Sequence, residues 1–363
     1  MEEYIDLEKA LGVAIKAARS AGDIMREFYQ LRREDTAAKV TRETKEGSFQ
    51  TPSGADAPLK PSPLQLLDIK SKSAANDLVT HYDTLCDETI MKTLQRYDAK
   101  VENEKQKAGF ELFQFRFITE EISPDTPLTD DPTWIVDPID GTTAFVHGGC
   151  ECCVSIGLTI KKRTVLAVVY CPFIGSAPHM MCDSSPTAVP VGELYTAIRG
   201  KGAFLNGQAI RVAADVAPTT SLVTFNCPTR VKLSMEEMSN CKSQWETLRQ
   251  AKHQRALDAN GHIRQELALI PVQGIRSYGA CAFILAQIAA GRVDLYMEPA
   301  GMIWDVCAGS LLVTEAGGVV QNMWGREFGM EGTTTIVAAA NEALAKYGVK
   351  LCKEVNYADF WKP

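Results

Sequence analysis

WIVDPIDGTTAF, residues 134–145, places two aspartates, Asp137 and Asp140, three residues apart behind an apolar run and then passes through Gly141 into Thr142 and Thr143. Trp134 to Val136 has the composition of a buried β-strand. A carboxylate carried into a core is costly unless it is paired or coordinates a metal. Taken alone, DPIDGT also reads as a turn, because Asp, Pro and Gly each favour turns.

Two other acidic sites follow the same logic. Glu120 and Glu121 close the apolar stretch FRFIT, and Asp305 follows Ile303-Trp304 at the start of an apolar helical pattern. An Asp there is also what a helix N-terminus favours on its own account. Together, however, carboxylates at several strand ends and a helix start suit a hard divalent cation such as Mg²⁺, which prefers oxygen ligands and leaves positions for water or phosphate. Gly141 and the amides after it, at a predicted helix start, would supply the donors that a phosphate needs.

With 363 residues the chain is long enough for two domains or one large layered unit. Its net charge of −7, without any Lys/Arg-rich block, opposes non-specific adhesion to nucleic acid or anionic lipid. The 11 cysteines are odd in number and scattered through apolar segments, unlike a disulfide framework, so a reducing cytoplasm is expected. Cys150, Cys152 and Cys153 lack the CxxC or His spacing of a zinc site and read as small buried residues. No signal peptide or membrane span is expected.

Apolar spacing over residues 4–31 predicts one long amphipathic helix, followed from Arg32 to Pro63 by a polar stretch expected to be a mobile insertion. Residues 77–96 read as an extended start and a helix. Residues 115–123, 154–160, 164–172 and 193–207 read as strands, the last holding the Asn206-Gly207 hairpin signal. Helices are expected from Ala280 to Ala290 and from Trp304 to Ala316, the second ended by Gly317-Gly318. A boundary near residue 195 divides the chain into halves 1–195 and 196–363.

TEE at 119–121, WIVDPIDGTTAFVHG at 134–148 and WDVCAGSLLVTEAGG at 304–318 resemble the signature segments of the inositol monophosphatase family, in matching order and spacing. DLVTHYD at 77–83 is similar to an earlier motif of that family, and GIRSYG followed by LYMEPAGMIWD to its inositol-binding stretch. The resemblance implies a layered αβαβα sandwich of the inositol monophosphatase and fructose-1,6-bisphosphatase type, with an α+β half and an α/β half. It implies two to three Mg²⁺ ions per site: Glu120, Asp137 and the Ile139 carbonyl on one, Asp137, Asp140 and Asp305 on another, and Glu120 again on a weaker third. It further implies that Thr142, supported by Asp83 and near Glu120, orients and helps deprotonate the attacking water. Substrate contacts would fall on Asp140, Gly141, Thr142, Gly279, Ala280, Cys281, Glu298 and Asp305, with Lys72 on an active-site loop. Cys281 is bulkier than the residue usual at its place.

The expected activity is Mg²⁺-dependent hydrolysis of myo-inositol monophosphate by direct attack of an activated water, lithium-sensitive, in a cytoplasmic homodimer whose partner is a small phosphomonoester. The same fold and metals also suit 3′-phosphoadenosine 5′-phosphate, an inositol polyphosphate or fructose 1,6-bisphosphate, although no conspicuous basic cluster awaits a second phosphate. A non-catalytic metal-binding relative is a further alternative. A phosphoaspartate mechanism of the DxDGT type is not expected, since Asp137 and Asp140 stand three apart rather than two.

Overall fold

The computed structural model describes residues 5–46, 70–71, 78–108, 115–175, 192–226, 245–270, 272–330 and 334–357. The quoted stretch is strand β4 (Thr133–Asp140), every residue of which is buried. It belongs to a seven-stranded sheet with β3 (Arg116–Thr119), β5 (Cys153–Ile160), β6 (Arg163–Cys171), β7 (Glu193–Ile198), β8 (Ala203–Leu205) and β9 (Gln208–Ile210), in that order. Only the β3–β4 pair is parallel. A short antiparallel pair, β1 (Lys70–Ser71) and β2 (Leu78–Val79), lies apart from it. The second large sheet has the order β11 (Gly274–Arg276), β10 (Leu222–Phe225), β12 (Leu295–Gly301), β14 (Thr334–Ala339), β13 (Val319–Gln321), with β10 parallel to both of its neighbours.

Strands β4 to β6 read as continuous apolar runs because both faces of their sheet are covered, which is unusual for antiparallel strands. The pleat still sorts their side chains by twos. In β6, Leu166, Val168 and Tyr170 join a core with Ala14, Ala17, Ala18 and Ala21 of α1 (Leu7–Glu46) and with Cys86, Ile90 and Leu94 of α2 (His81–Ala108). Ala167, Val169 and Cys171 point to the other side, onto α5 (Cys281–Ala289) and α6 (Ile303–Glu315). The same alternation in β12 sends Tyr296 towards α5 and α6, and Leu295 and Met297 towards α4 (Trp245–Leu269) and α7 (Glu342–Glu354). The layers are therefore α1/α2, large sheet, α5/α6, small sheet and α4/α7, the αβαβα order expected.

Two boundaries differ from the sequence reading. Helix α1 runs on to Glu46 rather than ending near residue 31, so residues 32–46 of the anticipated insertion are helical, and residues 47–63 lie outside the described residues. Residue 195 falls inside β7, and the strands of the large sheet continue to Ile210. The described cysteines are free thiols, as the scattered spacing suggested.

Candidate active site

A strand with a two-residue repeat points residues three apart to opposite faces, so Asp137 and Asp140 should diverge. They do not, because β4 carries a bulge. Asp137 pairs with Ser155 and Asp140 with Cys153, three residues of β4 against two of β5. The extra residue returns Asp140 to the face of Asp137, and Pro138, which cannot donate to a ladder, sits where a bulge tolerates it. The parallel register Thr119↔Val136 then delivers Glu120 beside Asp137, with the Glu120 amide donating to the Val136 carbonyl at 3.1 Å. From the second half, Asp305 lies in the first turn of α6, where its Oδ2 accepts the Met302 amide at 2.7 Å. Ser155 Oγ donates to the Trp304 carbonyl at 3.2 Å and docks this helix start on β5.

The result is a group of three carboxylates, Asp137, Asp140 and Asp305, whose nearest oxygens lie within 4.8 Å of one another. Burial is the main reason that the carboxyls of Asp137 and Asp305 stand well above the ordinary range, and neighbouring negative charge adds to it. Glu120 supplies the largest charge contribution at Asp137 and the second at Asp305, although it is not one of the three within 4.8 Å. Asp140 is pushed up to about 7 by burial, against the pull of three amides. Two buried acids and a half-buried third turned on one point, all offering oxygen, form a donor set that fits a hard divalent cation.

Asp140 has a second task. Its Oδ1 accepts the Cys281 amide at 3.2 Å, and its Oδ2 accepts Ala282 and Phe283 at 2.6 and 3.3 Å, so it caps the first turn of α5 from across the layer. Negative charge there is favoured by the helix dipole. Cys153 Sγ donates to the same Oδ2 at 3.7 Å.

At the other edge of the group, Gly141 starts α3 (Thr142–His147) with φ of +89°, and a Cβ there would stand 2.7 Å from the Glu151 carbonyl oxygen. Only glycine suits both conditions. Gly141, as its N-cap, offers no side chain to cap this helix. Thr142 Oγ1 lies 3.2 Å from both Asp83 Oδ1 and the Ile139 carbonyl, two acceptors competing for one hydroxyl hydrogen. Asp83 is itself fixed, since its Oδ2 accepts the Thr80 amide and hydroxyl at 2.8 and 2.6 Å.

Glu298, near the end of β12, is held by neutral donors: Tyr296 hydroxyl and Asn226 Nδ2 on Oε2, each at 3.0 Å, and the Ala300 amide on Oε1 at 3.1 Å. Of the three residues expected to offer amides to a substrate, Gly279 donates to Asn226 Oδ1 at 3.1 Å and Cys281 to Asp140, while Ala280 precedes the first turn of α5. Lys72 lies outside the described residues.

Sequence reasoning missed Asn226, Tyr296, Cys153 and Asp87. Asp87 is fully buried behind the Glu120-Glu121 turn, where its Oδ2 accepts the Ile122 amide at 3.2 Å. Among the described residues its Oδ1 has no hydrogen-bond partner, and burial pushes its carboxyl up to about 6. Its position one helical turn beyond Asp83 was the available signal.

The model of a family described as "Inositol monophosphatase family" matches residues 6–357. Inositol monophosphatase 2 of Solanum lycopersicum is 34% identical over 347 residues, covering 95% of this chain and 96% of its own. Inositol monophosphatase 1 of Homo sapiens is 32% identical, covering 80% and 86%. Among solved structures, the IMPase of Thermotoga maritima superposes with a TM-score of 0.65 at 20% identity, over 96% of this chain and 98% of that one. The extragenic suppressor protein SuhB of Bartonella henselae gives 0.64 at 25%, over 95% and 99%.

Proposed function

We propose that this chain, which belongs to the inositol monophosphatase family and is a phosphoric monoester hydrolase, hydrolyses myo-inositol monophosphate with Mg²⁺ as cofactor. The observation that carries the reading is the convergence of Asp137, Asp140 and Asp305 within 4.8 Å, with Glu298 seven residues before Asp305. Asp137, Asp140, Asp305, Glu120 and the Ile139 carbonyl would hold the ions. Bound Mg²⁺ supplies positive charge that offsets these carboxylates, polarises the phosphate and acidifies water.

The chain's own groups complete the assignment. Thr142, oriented by Asp83, holds and helps deprotonate the attacking water, with Glu120 nearby. Gly141 and the first amides of α3 receive the phosphate, where uncapped N–H groups favour an anion. Glu298 accepts hydroxyls of the polyol, for which a carboxylate held by neutral donors is a suitable acceptor. The carboxylates thus come from an N-terminal half carrying Glu120, Asp137 and Asp140 and a C-terminal half carrying Glu298 and Asp305. By family analogy the enzyme is a lithium-sensitive cytoplasmic homodimer. No helix among the described residues is long and apolar enough to cross a membrane.

The test is phosphate release from inositol 1-phosphate, 3′-phosphoadenosine 5′-phosphate and fructose 1,6-bisphosphate in parallel, with and without Mg²⁺ and with added Li⁺. Mg²⁺-dependent preference for inositol 1-phosphate is expected. Preference for a bisphosphate would overturn the role given to Glu298, and release independent of a divalent cation would overturn the metal assignment.

A further inference from the structure

Asn226 occupies a place that the strand register alone makes notable. Strand β10 pairs Thr224 with Arg276 of β11 and Phe225 with Met297 of β12, both in parallel. One residue further on, the chain therefore emerges between the 277–279 loop and Glu298, at the carboxyl ends of three adjacent parallel strands. Such strand ends are where open α/β sheets place ligands.

The Asn226 side chain spans that gap. Nδ2 lies 3.0 Å from Glu298 Oε2 and 3.2 Å from the Tyr296 hydroxyl, while Oδ1 accepts the Gly279 amide at 3.1 Å and meets Ser277 Oγ at 3.5 Å. The chemistry of both sides fixes which way the amide faces: a carboxylate requires a donor, and a backbone N–H requires an acceptor. The hydrogen count also closes. Tyr296 spends its single hydrogen on Glu298 at 3.0 Å and so accepts from Asn226, whose two Nδ2 hydrogens serve Tyr296 and Glu298. The Asn226 carbonyl is held in turn by Asn260 Nδ2 at 3.1 Å and the Tyr357 hydroxyl at 3.4 Å.

The 279–283 segment is pinned at both ends of the site. Its first amide, Gly279, goes to Asn226, and the amides of Cys281, Ala282 and Phe283 go to Asp140. Asn226 thereby sets Glu298 relative to the segment that Asp140 ties to the carboxylate group. We propose that Asn226 is a positioning residue that determines specificity: held in place by the Gly279 amide, it orients Glu298 and through Glu298 selects phosphomonoesters whose polyol hydroxyls lie at a fixed offset from the phosphate. The proposal rests on the reading of Glu298 as the polyol ligand.

The experiment uses the full chain at saturating Mg²⁺, with inositol 1-phosphate and p-nitrophenyl phosphate, which has no polyol. The variants are Asn226→Leu, Asn226→Asp, Glu298→Gln and the double variant Asn226→Leu with Glu298→Gln. Asn226→Asp keeps the size of the side chain and the acceptor for Gly279 while replacing the donor to Glu298 by a charge, so it covers the case in which the Leu variant folds poorly. Loss of a hydrogen bond to a charged group predicts a rise in KM for inositol 1-phosphate, and a fall in selectivity over p-nitrophenyl phosphate, of about tenfold, with little change in kcat. Because Asn226 acts through Glu298, the double variant should be no less selective than Glu298→Gln alone. Unchanged selectivity in both Asn226 variants, or additive losses in the double variant, would overturn the assignment of Asn226 while leaving that of Glu298 intact. Unchanged selectivity in Glu298→Gln would instead overturn the polyol reading, and the role of Asn226 with it.

Discussion

At one end of the site Asp137, Asp140 and Asp305 turn carboxylates to within 4.8 Å of one another, and burial with mutual repulsion lifts their carboxyls above the ordinary range. At the other end Glu298 is surrounded by an amide side chain, a phenol and a backbone N–H, all neutral donors. The first arrangement stores electrostatic strain that a cation relieves; the second satisfies its charge within the protein and holds it in one orientation. Both are carboxylates at strand or helix ends, and they differ in their immediate neighbours, other acids at the first and hydrogen-bond donors at the second.

The largest effects should come from removing one charge at each end. Asp137→Asn is expected to lower kcat/KM on the order of 10²- to 10³-fold, the scale of losing a preorganised charge-stabilising group. In chelator, however, the same variant should melt above the parent, because one of three mutually repelling acids is gone while the amide oxygen can still accept the Ile139 N–H that Asp137 Oδ1 takes at 3.1 Å. Glu298→Gln should not melt above the parent, since it weakens bonds to donors already in place. Melting of chelated proteins by differential scanning fluorimetry decides this. A fall for Asp137→Asn, or a rise for Glu298→Gln, would break the contrast between the two ends.

An intermediate effect is expected at the Thr142 hydroxyl. Thr142→Val removes the hydroxyl hydrogen for which Asp83 Oδ1 and the Ile139 carbonyl compete. A loss in kcat of about 10²-fold is expected, in the range of a positioned proton-transfer group, with most of it restored by Thr142→Ser. Equal rates for the Val and Ser variants would remove Thr142 from the chemistry and leave it as a helix-start residue.

What could be read in the sequence was the identity of the acidic residues; what could not was how they come to face one another. Asp137 and Asp140 are three apart, and only the bulge at Pro138 reverses the side on which Asp140 emerges. Asn226 follows an ordinary apolar strand, and its meaning depends on two parallel neighbours that arrive some 50 and 70 residues later. Cys153 reads as a small core residue, which it is, yet the register of β5 sets its thiol against Asp140. Helix α1 runs past the end of its apolar spacing, to Glu46, because a polar, charged composition does not by itself end a helix. Arg, Lys, Glu and Ala are good helix formers, so that composition reports on a missing apolar stripe rather than on the backbone.

The smallest effect is also the sharpest test of the strained end, because it is read as a pH dependence. An unfolded Asp titrates near 3.8, whereas folded Asp140 holds its proton up to about 7. A folded pKa above the unfolded one means that the metal-free fold binds more protons, so it loses stability as pH rises between about 4 and 7 and carries the full penalty above that window. Asp137 and Asp305 shift in the same direction. A divalent cation must displace those protons and then cancels the repulsion, so the rise in thermal midpoint on adding Mg²⁺ should be small near pH 5.5 and grow by a few °C towards about pH 8. Asp87, pushed up to about 6 by burial, adds a metal-independent slope of the same sign, which Asp87→Asn removes without altering the Mg²⁺-dependent part. A Mg²⁺-induced gain that is flat across this range would mean that the three aspartates are already ionised without a cation. The metal end would then be held as Glu298 is, by fixed donors rather than by the ion it is built to receive.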